Sequence, residues 1–349
     1  MNQQNDVLLE VRGLVKHFPL RRSLKQVLQG QRPAVRAVDG VDFFVRRGEI
    51  FGLVGESGSG KTTTGRTLLR LDEPTAGQII FDGQDIARLD AEGMRKLRRR
   101  MQIVFQDPYD SMNPNMDVFS IVAEPLRIQG LDKDPEEVER RVVQALEDVE
   151  LTPADEYMYR YPKELSGGQR QRIAIARALV LEPDFIVADE PVSMLDVSIR
   201  GEILKILMRL VKERGLSLLF ITHDLALARH FCDRVAVMYL GQIVEYSDSN
   251  SLVKRPHHPY TQALMRAVLS TDPRRKHIYT GLKGEIPNPA NPPSGCRLHP
   301  RCPLATDLCK QQAPELTEHA PGHWAACHHV ERSLAQLAEQ RKEAAGSAG

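Results

Sequence analysis

Apolar residues in this chain come in short runs, and the spacing between them switches between that of strands and that of helices. Val7-Leu8-Leu9-Glu10-Val11-Arg12 reads as a strand, and so does the alternating Val38–Val45, closed by the turn Arg46-Arg47-Gly48. Ile50–Val54, Gly77–Gly83, Ile103–Pro108, Phe185–Glu190 and Leu218–Asp224 are further apolar runs of strand type. Thr63–Leu69 can open a helix, and Met94–Arg100 reads as the exposed face of one. Residues 107–165 look mainly helical, with apolar helical spacing in Val118–Ile128 and Val138–Val149. Val235–Tyr239 and Gln242–Glu245, joined through Gly241, predict a hairpin. The pattern is that of an α/β chain.

Composition narrows this picture. At 349 residues the chain is long enough for one large domain plus a small one, or for two domains. Lys plus Arg number 47 against 46 Asp plus Glu, so no global field draws the chain to nucleic acid. The polar start Met1–Asp6 lacks a basic segment followed by an apolar core, so no secretory signal is expected. No apolar run approaches the roughly 20 residues that span a bilayer; at a membrane, other chains would supply the spans. Of the 5 cysteines, Cys232 stands alone and four crowd into Cys296–Cys327, which favours a metal or cluster site over disulfides.

The chemistry centres on Gly55-Glu56-Ser57-Gly58-Ser59-Gly60-Lys61-Thr62, a G-x-x-x-x-G-K-T loop between a strand and a helix. Its glycines let successive N–H groups turn toward one anion, and the helix N-terminus adds partial positive charge. Lys61 can reach the β- and γ-phosphates of a nucleotide, and the Thr62 hydroxyl can ligate Mg²⁺. Leu165-Ser166-Gly167-Gly168-Gln169, ahead of the helical Arg170–Leu179, repeats the logic of small residues at a helix start. Phe185–Glu190 ends in two carboxylates: Asp189 can hold Mg²⁺ and Glu190 can polarise an attacking water. Gln106, just past an apolar strand, can sit over Mg²⁺ and that water, and His223 can hydrogen-bond the γ-phosphate. Phe18 is either a ring for adenine to stack on or an ordinary core or surface residue. The basic stretch 20–36, with Arg21, Arg22, Lys25, Arg32 and Arg36, reads as a solvated loop first and a phospholipid or partner contact second, and Met94–Arg100 lacks the aromatic interleaving of a nucleic-acid surface.

Taken in order, these motifs resemble those of the ATP-binding subunits of ABC transporters. The resemblance rests on Walker A at Gly55–Thr62, the Q-loop Gln106, the signature Leu165–Gln169, Walker B at Phe185–Glu190, the D-loop Ser193–Asp196 and the switch His223, and covers about the first three-quarters of the chain. One departure is Met194, where the family usually has alanine. The tail is similar to that of the oligopeptide/dipeptide transporter ATPases: Arg255-Pro256-His257-His258-Pro259-Tyr260-Thr261 contains their His-Pro-Tyr motif, and Gly284–Pro289, Asn291–Cys296 and Arg301-Cys302-Pro303 fit the same subgroup. The fold so implied is an ABC-type P-loop NTPase domain, with a RecA-like core, an antiparallel β subdomain and a helical subdomain, followed by a small cysteine-containing C-terminal extension. The corresponding boundaries are 1–265 for the nucleotide-binding domain (helical subdomain about 107–180), 266–335 for the cysteine-rich domain and 336–349 for a flexible tail.

The resemblance implies a site as well. ATP is held by Phe18, Gly55, Ser57, Gly58, Ser59, Gly60, Lys61, Thr62 and Thr63, and in trans by Ser166, Gly167, Gly168, Gln169 and Asp196. Magnesium is held through Thr62, Gln106 and Asp189; Glu190, His223 and Gln106 take part in hydrolysis. Two ATPase domains stand head to tail in this family, and one set of motifs here implies a second ATPase chain, a paralogue in the heterodimers usual for the subgroup. Two membrane-spanning permease subunits and an extracytoplasmic solute-binding protein complete the expected assembly, with this chain peripheral at the cytoplasmic face of the cell (inner) membrane and no nucleic-acid partner. Import of di- or oligopeptides is the expected work, with nickel, opines, glutathione or oligosaccharides as alternative solutes and a soluble non-transport ABC ATPase as the rival class. The spacing C-x5-C-x6-C-x17-C at Cys296, Cys302, Cys309 and Cys327 suits a [4Fe–4S] cluster or tetrahedral Zn²⁺, and the resemblance favours the cluster. His299, His323, His328 and His329 stand near as alternative zinc ligands.

Overall fold

The computed structural model describes residues 6–21, 33–109, 111–268 and 281–346. Arg22, Lys25 and Arg32 of the basic stretch, and residues 347–349, lie outside the described residues. The strands, in chain order, are β1 Val7–Pro19, β2 Ala34–Arg46, β3 Ile50–Val54, β4 Ala76–Phe81, β5 Gln84–Asp85, β6 Met101–Val104, β7 Phe185–Asp189, β8 Ser217–Thr222, β9 Arg234–Tyr239, β10 Gln242–Asp248, β11 Thr317–Ala320 and β12 His323–Ala325. The helices are α1 Lys61–Leu68, α2 Ala91–Leu97, α3 Val118–Ile128, α4 Pro135–Asp148, α5 Asp155–Met158, α6 Gly167–Leu179, α7 Val197–Arg214, α8 Leu225–Phe231, α9 Ser249–Lys254, α10 Pro259–Val268, α11 Asp307–Gln311 and α12 Val330–Gly346. These fall into two units, each assembled from stretches far apart in sequence.

The first unit comprises residues 1–10, 44–50 and 79–221. Its sheet joins β6, β7 and β8 in parallel, with Met101 opposite Phe185 and Phe185 opposite Ser217. Every residue of β7 and β8 is buried, which is why both read as unbroken apolar runs: parallel strands are covered on both faces. The chain between β6 and β7 is helical. Asp117 and Asp134 cap α3 and α4 through their carboxylates, both helices pack on α6, and Arg177–Glu124 (2.7 Å) ties α6 to α3. Helix α7 leads from β7 to β8 and stops at Gly215, whose φ of 66° suits glycine.

The second unit comprises residues 11–43, 51–78 and 222–349. Here β9 pairs in parallel with β3 and antiparallel with β10, the hairpin turning at Leu240 and Gly241. The sheet continues beyond this hairpin: β12 adds to β10, with Glu245 opposite Ala325 and Tyr246 opposite Trp324, and β11 adds to β12. Tyr246 and Trp324 stack across that seam at 6.1 Å. The C-terminal residues therefore extend the same sheet that carries β3. Helix α12 covers most of the stretch expected as a flexible tail. Its start is fastened by buried Val330 and by Ser333, which accepts hydrogen bonds from the Gln262 amide.

Candidate functional site

In the second unit, β3 runs into the Gly55–Thr62 loop and out through α1. Two glycines set its shape by necessity. A Cβ on Gly55 would lie 2.2 Å from the Met238 carbonyl, and one on Gly60, at φ 107°, would lie 2.1 Å from the Ala37 carbonyl. Both neighbours are backbone, so neither position accepts a larger residue without the loop moving. Lys61 is 6% exposed and folds back, its Nζ donating to the Gly55 and Glu56 carbonyls at 2.9 and 3.0 Å. Ser59 Oγ is buried and has no hydrogen-bond partner among the described residues, as a hydroxyl awaiting a ligand would be. Ser57, Gly58 and Thr62 are exposed, Thr63 half-buried.

Phe18, 36% exposed, lies at the end of β1 with the Lys16 ammonium over its ring at 4.8 Å. Its neighbour His17 bonds Asp39 at 2.7 Å. Burial alone would raise the Asp39 carboxyl, but hydrogen bonds from Arg297 and then His17 outweigh it and hold it below the ordinary carboxylate range. His223, exposed, follows β8 directly, and Asp224 beside it caps α8.

In the first unit, β6 ends at Val104, so Gln106 stands two residues past the strand and exposed. Its amide lies 3.5 Å from Glu190 Oε2. Asp189 is the last residue of β7 and only 4% exposed. Glu190 has φ 47°, its N–H fixed on the Ile221 carbonyl at 3.0 Å, an uncommon backbone for a non-glycine residue. Ser166 caps α6: its Oγ accepts the Gln169 N–H, while Gln169 Oε1 accepts the Ser166 N–H at 2.9 Å. Gly167 and Gly168 face the D-loop and α7, and a Cβ on Gly168 would meet Ile199 Cγ2 at 2.7 Å. Met194 is 63% exposed, and Asp196 opens α7 without a side-chain cap bond.

The four clustered cysteines, none in a disulfide, line one small cavity in the second unit with Leu298 and Leu304. Gly295, at φ 64°, lets the backbone N–H of Cys296 reach the Cys309 carbonyl at 2.8 Å. Burial pushes the Cys302 thiol up to about 11 and the Cys327 thiol up to about 12, and raises Cys296 as well. Such thiols stay protonated unless a cation draws the protons off. The nearby histidines have other partners: His299 bonds the Cys296 carbonyl, His328 the Gln312 carbonyl and His329 the Thr306 hydroxyl. Each of these bonds occupies one ring nitrogen, so four sulfurs and the His258, His299, His328 and His329 rings line the cavity together.

His323 lies elsewhere, on Glu245. That carboxylate is fully buried and accepts the His257 N–H (2.6 Å), the His258 N–H (2.9 Å) and His323 Nε2 (2.7 Å). Three donors satisfy it, so the cluster Glu245, His257 and His323 reads as an anchor for the His-Pro-Tyr segment. Sequence reasoning missed this anchor; the only trace of it is an acid inside an apolar strand.

A sequence profile described as "ABC transporter" matches residues 38–193, and one described as "Oligopeptide/dipeptide transporter, C-terminal region" matches residues 244–309. The chain is similar to the putative peptide import ATP-binding protein of Brucella ovis, 54% identical over 320 residues that cover 92% of this chain and 97% of that protein. It is similar also to the oligopeptide transport ATP-binding protein AppF of Bacillus subtilis, 49% identical over 328 residues, covering 93% and 97%. Among solved structures it is similar to the dimeric ATP-binding cassette MJ0796 in a post-hydrolysis state bound to ADP and Pi (TM-score 0.60, 28% identity, 69% of this chain and 99% of that one). The cbiO1 structure from Clostridium perfringens, part of the transporter complex cbiONQ, gives a TM-score of 0.61 at 28% identity, covering 71% and 91%.

Proposed function

The chain belongs to the ABC transporter ATP-binding proteins, in the group with the oligopeptide/dipeptide transporter C-terminal region, and from that premise we propose that it hydrolyses ATP to drive import of di- and oligopeptides. It is an ABC-type ATPase that works with membrane-spanning permease subunits; no helix among its described residues is long and apolar enough to cross a membrane itself. Its place is peripheral, at the cytoplasmic face of the cell membrane. The observation that carries this reading is the loop Gly55–Thr62, walled by backbone at Gly55 and Gly60 and holding Lys61 and an unpartnered Ser59 hydroxyl. Residues 1–265 form the nucleotide domain and 266–335 the cysteine-bearing extension.

The residues divide the work. Lys61 leaves the Gly55 and Glu56 carbonyls for the phosphates, and Phe18 offers its ring to adenine. Thr62, and in the first unit Gln106 and Asp189, provide the hard oxygen donors that suit Mg²⁺, which when bound neutralises charge on the β- and γ-phosphates. Glu190 takes a proton from the attacking water, and His223 bonds the γ-phosphate. Ser166, Gly167, Gly168, Gln169 and Asp196 serve a nucleotide held by a second ATPase chain, a paralogue. ATP binds the closed pair better than the open one, so binding closes it and hydrolysis reopens it. A solute-binding protein outside the membrane delivers the peptide. Four convergent thiols, Cys309 buried and the other three half-buried, fit a [4Fe–4S] cluster held by Cys296, Cys302, Cys309 and Cys327, a group that would stiffen the extension. Stoichiometric zinc without iron in anaerobically purified protein would replace that assignment.

The test is reconstitution of both ATPases with the permease in vesicles. Glu190→Gln should retain ATP binding and lower hydrolysis and peptide uptake by about 10²-fold or more. Near-normal hydrolysis in a pair whose other site is disabled would remove Glu190 from this role.

A further inference from the structure

The cysteine loop does more than enclose its cavity. Between Cys296 and Cys302 it carries two arginines, Arg297 and Arg301, each 8% exposed. Buried guanidinium groups persist only with partners, and both find theirs beside the phosphate loop and the Phe18 strand. Arg301 forks onto Glu56, the second residue of the G-x-x-x-x-G-K-T loop, with Nη1 2.9 Å from Oε2 and Nη2 3.4 Å from Oε1. The Glu56 backbone N–H donates to the Tyr260 hydroxyl at 2.8 Å, so Glu56 is held by main chain and side chain together. Tyr260 is fully buried and packs on Tyr239 at 4.7 Å, and the Tyr239 hydroxyl in turn meets Arg301. Arg297 reaches the other end: it bonds Asp39 and the Leu240 carbonyl. Asp39 holds His17, the residue before Phe18. The next turn residue, Gly241, donates its N–H to the Ser59 carbonyl at 2.8 Å.

We propose that the loop Cys296–Cys302 is a two-armed brace on the nucleotide site, in which Arg301 and Arg297 are positioning residues for the phosphate loop and for the Phe18 strand. The inference rests on reading Gly55–Thr62 as that site. A phosphate loop works only when its N–H groups hold one arrangement, and displacements near 1 Å cost orders of magnitude. Glycines make this loop pliable, and contacts from outside add to the bonds it makes within itself. Arg301 and Tyr260 supply those contacts at Glu56, whose N–H is taken up by the Tyr260 hydroxyl. The C-terminal extension thereby contributes to nucleotide affinity without touching the nucleotide.

The experiment measures the affinity of the full chain for a fluorescent ATP analogue with Mg²⁺, alongside its metal content and melting temperature. Arg301→Met is expected to weaken binding by about tenfold with metal content unchanged. Arg301→Lys keeps the charge but not the fork and should recover only part of the loss, and Tyr260→Phe should weaken binding by a few-fold. Glu56→Gln combined with Arg301→Met should be no worse than either alone, because the two act as one contact. Binding by Arg301→Met within twofold of wild type, or losses that multiply in the double variant, would overturn the brace. Should Arg301→Met fail to fold, Tyr260→Phe decides on the same affinity scale, and binding as tight as wild type there would overturn the brace. A wild-type chain that binds no analogue, matched by Lys61→Ala, would overturn the nucleotide-site reading and the brace with it.

Discussion

Two glycine-bearing loops in this chain each open a helix, and they are held in opposite ways. Gly55–Thr62 enters α1 through Gly60, which provides no side-chain cap. Its shape comes from backbone pressed against Gly55 and Gly60 and from Arg301 and Tyr260 on Glu56. Leu165–Gln169 enters α6 through Ser166, and the Ser166–Gln169 capping box closes that helix end on itself. The first loop is a fixed cradle supported from outside. The second is self-satisfied and has to exchange its own bonds to receive an anion.

The largest effect should separate the loops outright. Lys61→Ala removes the side chain inside the cradle, so the isolated chain should bind ATP about 10²-fold more weakly, with hydrolysis falling at least as far. An isolated chain that keeps its affinity would show that the cradle is not where the phosphates go.

Glycine replacement sharpens the contrast next. Gly60→Ala forces a Cβ onto the Ala37 carbonyl at positive φ, and should cost about 3 kcal/mol, read as a drop of several degrees in Tm. Gly168→Ala meets a side chain and not backbone, but at 2.7 Å from Ile199 Cγ2 that methyl must shift, a cost only partly offset by alanine being the better helix former. Its Tm should fall by about half as much as that of Gly60→Ala, a cost of about 1–2 kcal/mol. Equal losses at the two glycines would erase the distinction.

How legible these loops were follows from how each is made. Glycines, Lys61, the Ser166–Gln169 box and the acids ending β7 act within a few residues of one another, so local sequence displays them. Helices α3 and α4 match Val118–Ile128 and Val138–Val149 closely for the same reason: their apolar spacing and their Asp caps are local. The brace is different. Arg301 and Glu56 are 245 residues apart, and nothing in the run Cys296–Pro303 distinguishes an arginine that pairs from one that faces water. Strands β11 and β12 were invisible too, being short, polar and defined only by the edge of β10. Local chemistry was readable; long-range partner choice was not.

Acid probes the outside support. His257 stacks on His323 at 3.7 Å, and burial, followed by the His323 charge, pushes its pKa down to about 4 from 6.5. In the unfolded chain His257 takes a proton below about 6.5, whereas the folded chain resists until about 4. The unfolded state therefore binds more protons in this window, and stability falls as pH falls through it. The loss should be about 2 kcal/mol between pH 7 and 5 from this one group, measured by denaturant unfolding. His257→Gln should lessen that slope without abolishing it, because His258, pushed down to about 3 by burial, loses stability over the same window. Hydrogen exchange should show residues 244–262 and 55–62 loosening in acid before 166–179; the reverse order would mean the cradle is not supported through the Glu245 anchor.

The smallest effect tests the self-satisfied loop. Ser166→Ala deletes one cap bond at α6 and should cost about 1 kcal/mol, a fall of about 2–4 °C in Tm. ATP affinity of the isolated chain should not change, since the cradle lies on other residues. Loss of the cap and loss of an anion contact are separable by a second substitution. Ser166→Asp keeps the cap, because aspartate is as good an N-cap as serine, but it places a carboxylate where a phosphate would have to approach. If Ser166 serves a nucleotide held by the partner chain, the assembled pair should hydrolyse ATP more slowly with Ser166→Asp than with Ser166→Ala, although the aspartate variant melts higher. Were the aspartate variant as active as wild type, Ser166 would be a helix cap and nothing more, and the two loops would no longer be halves of one site.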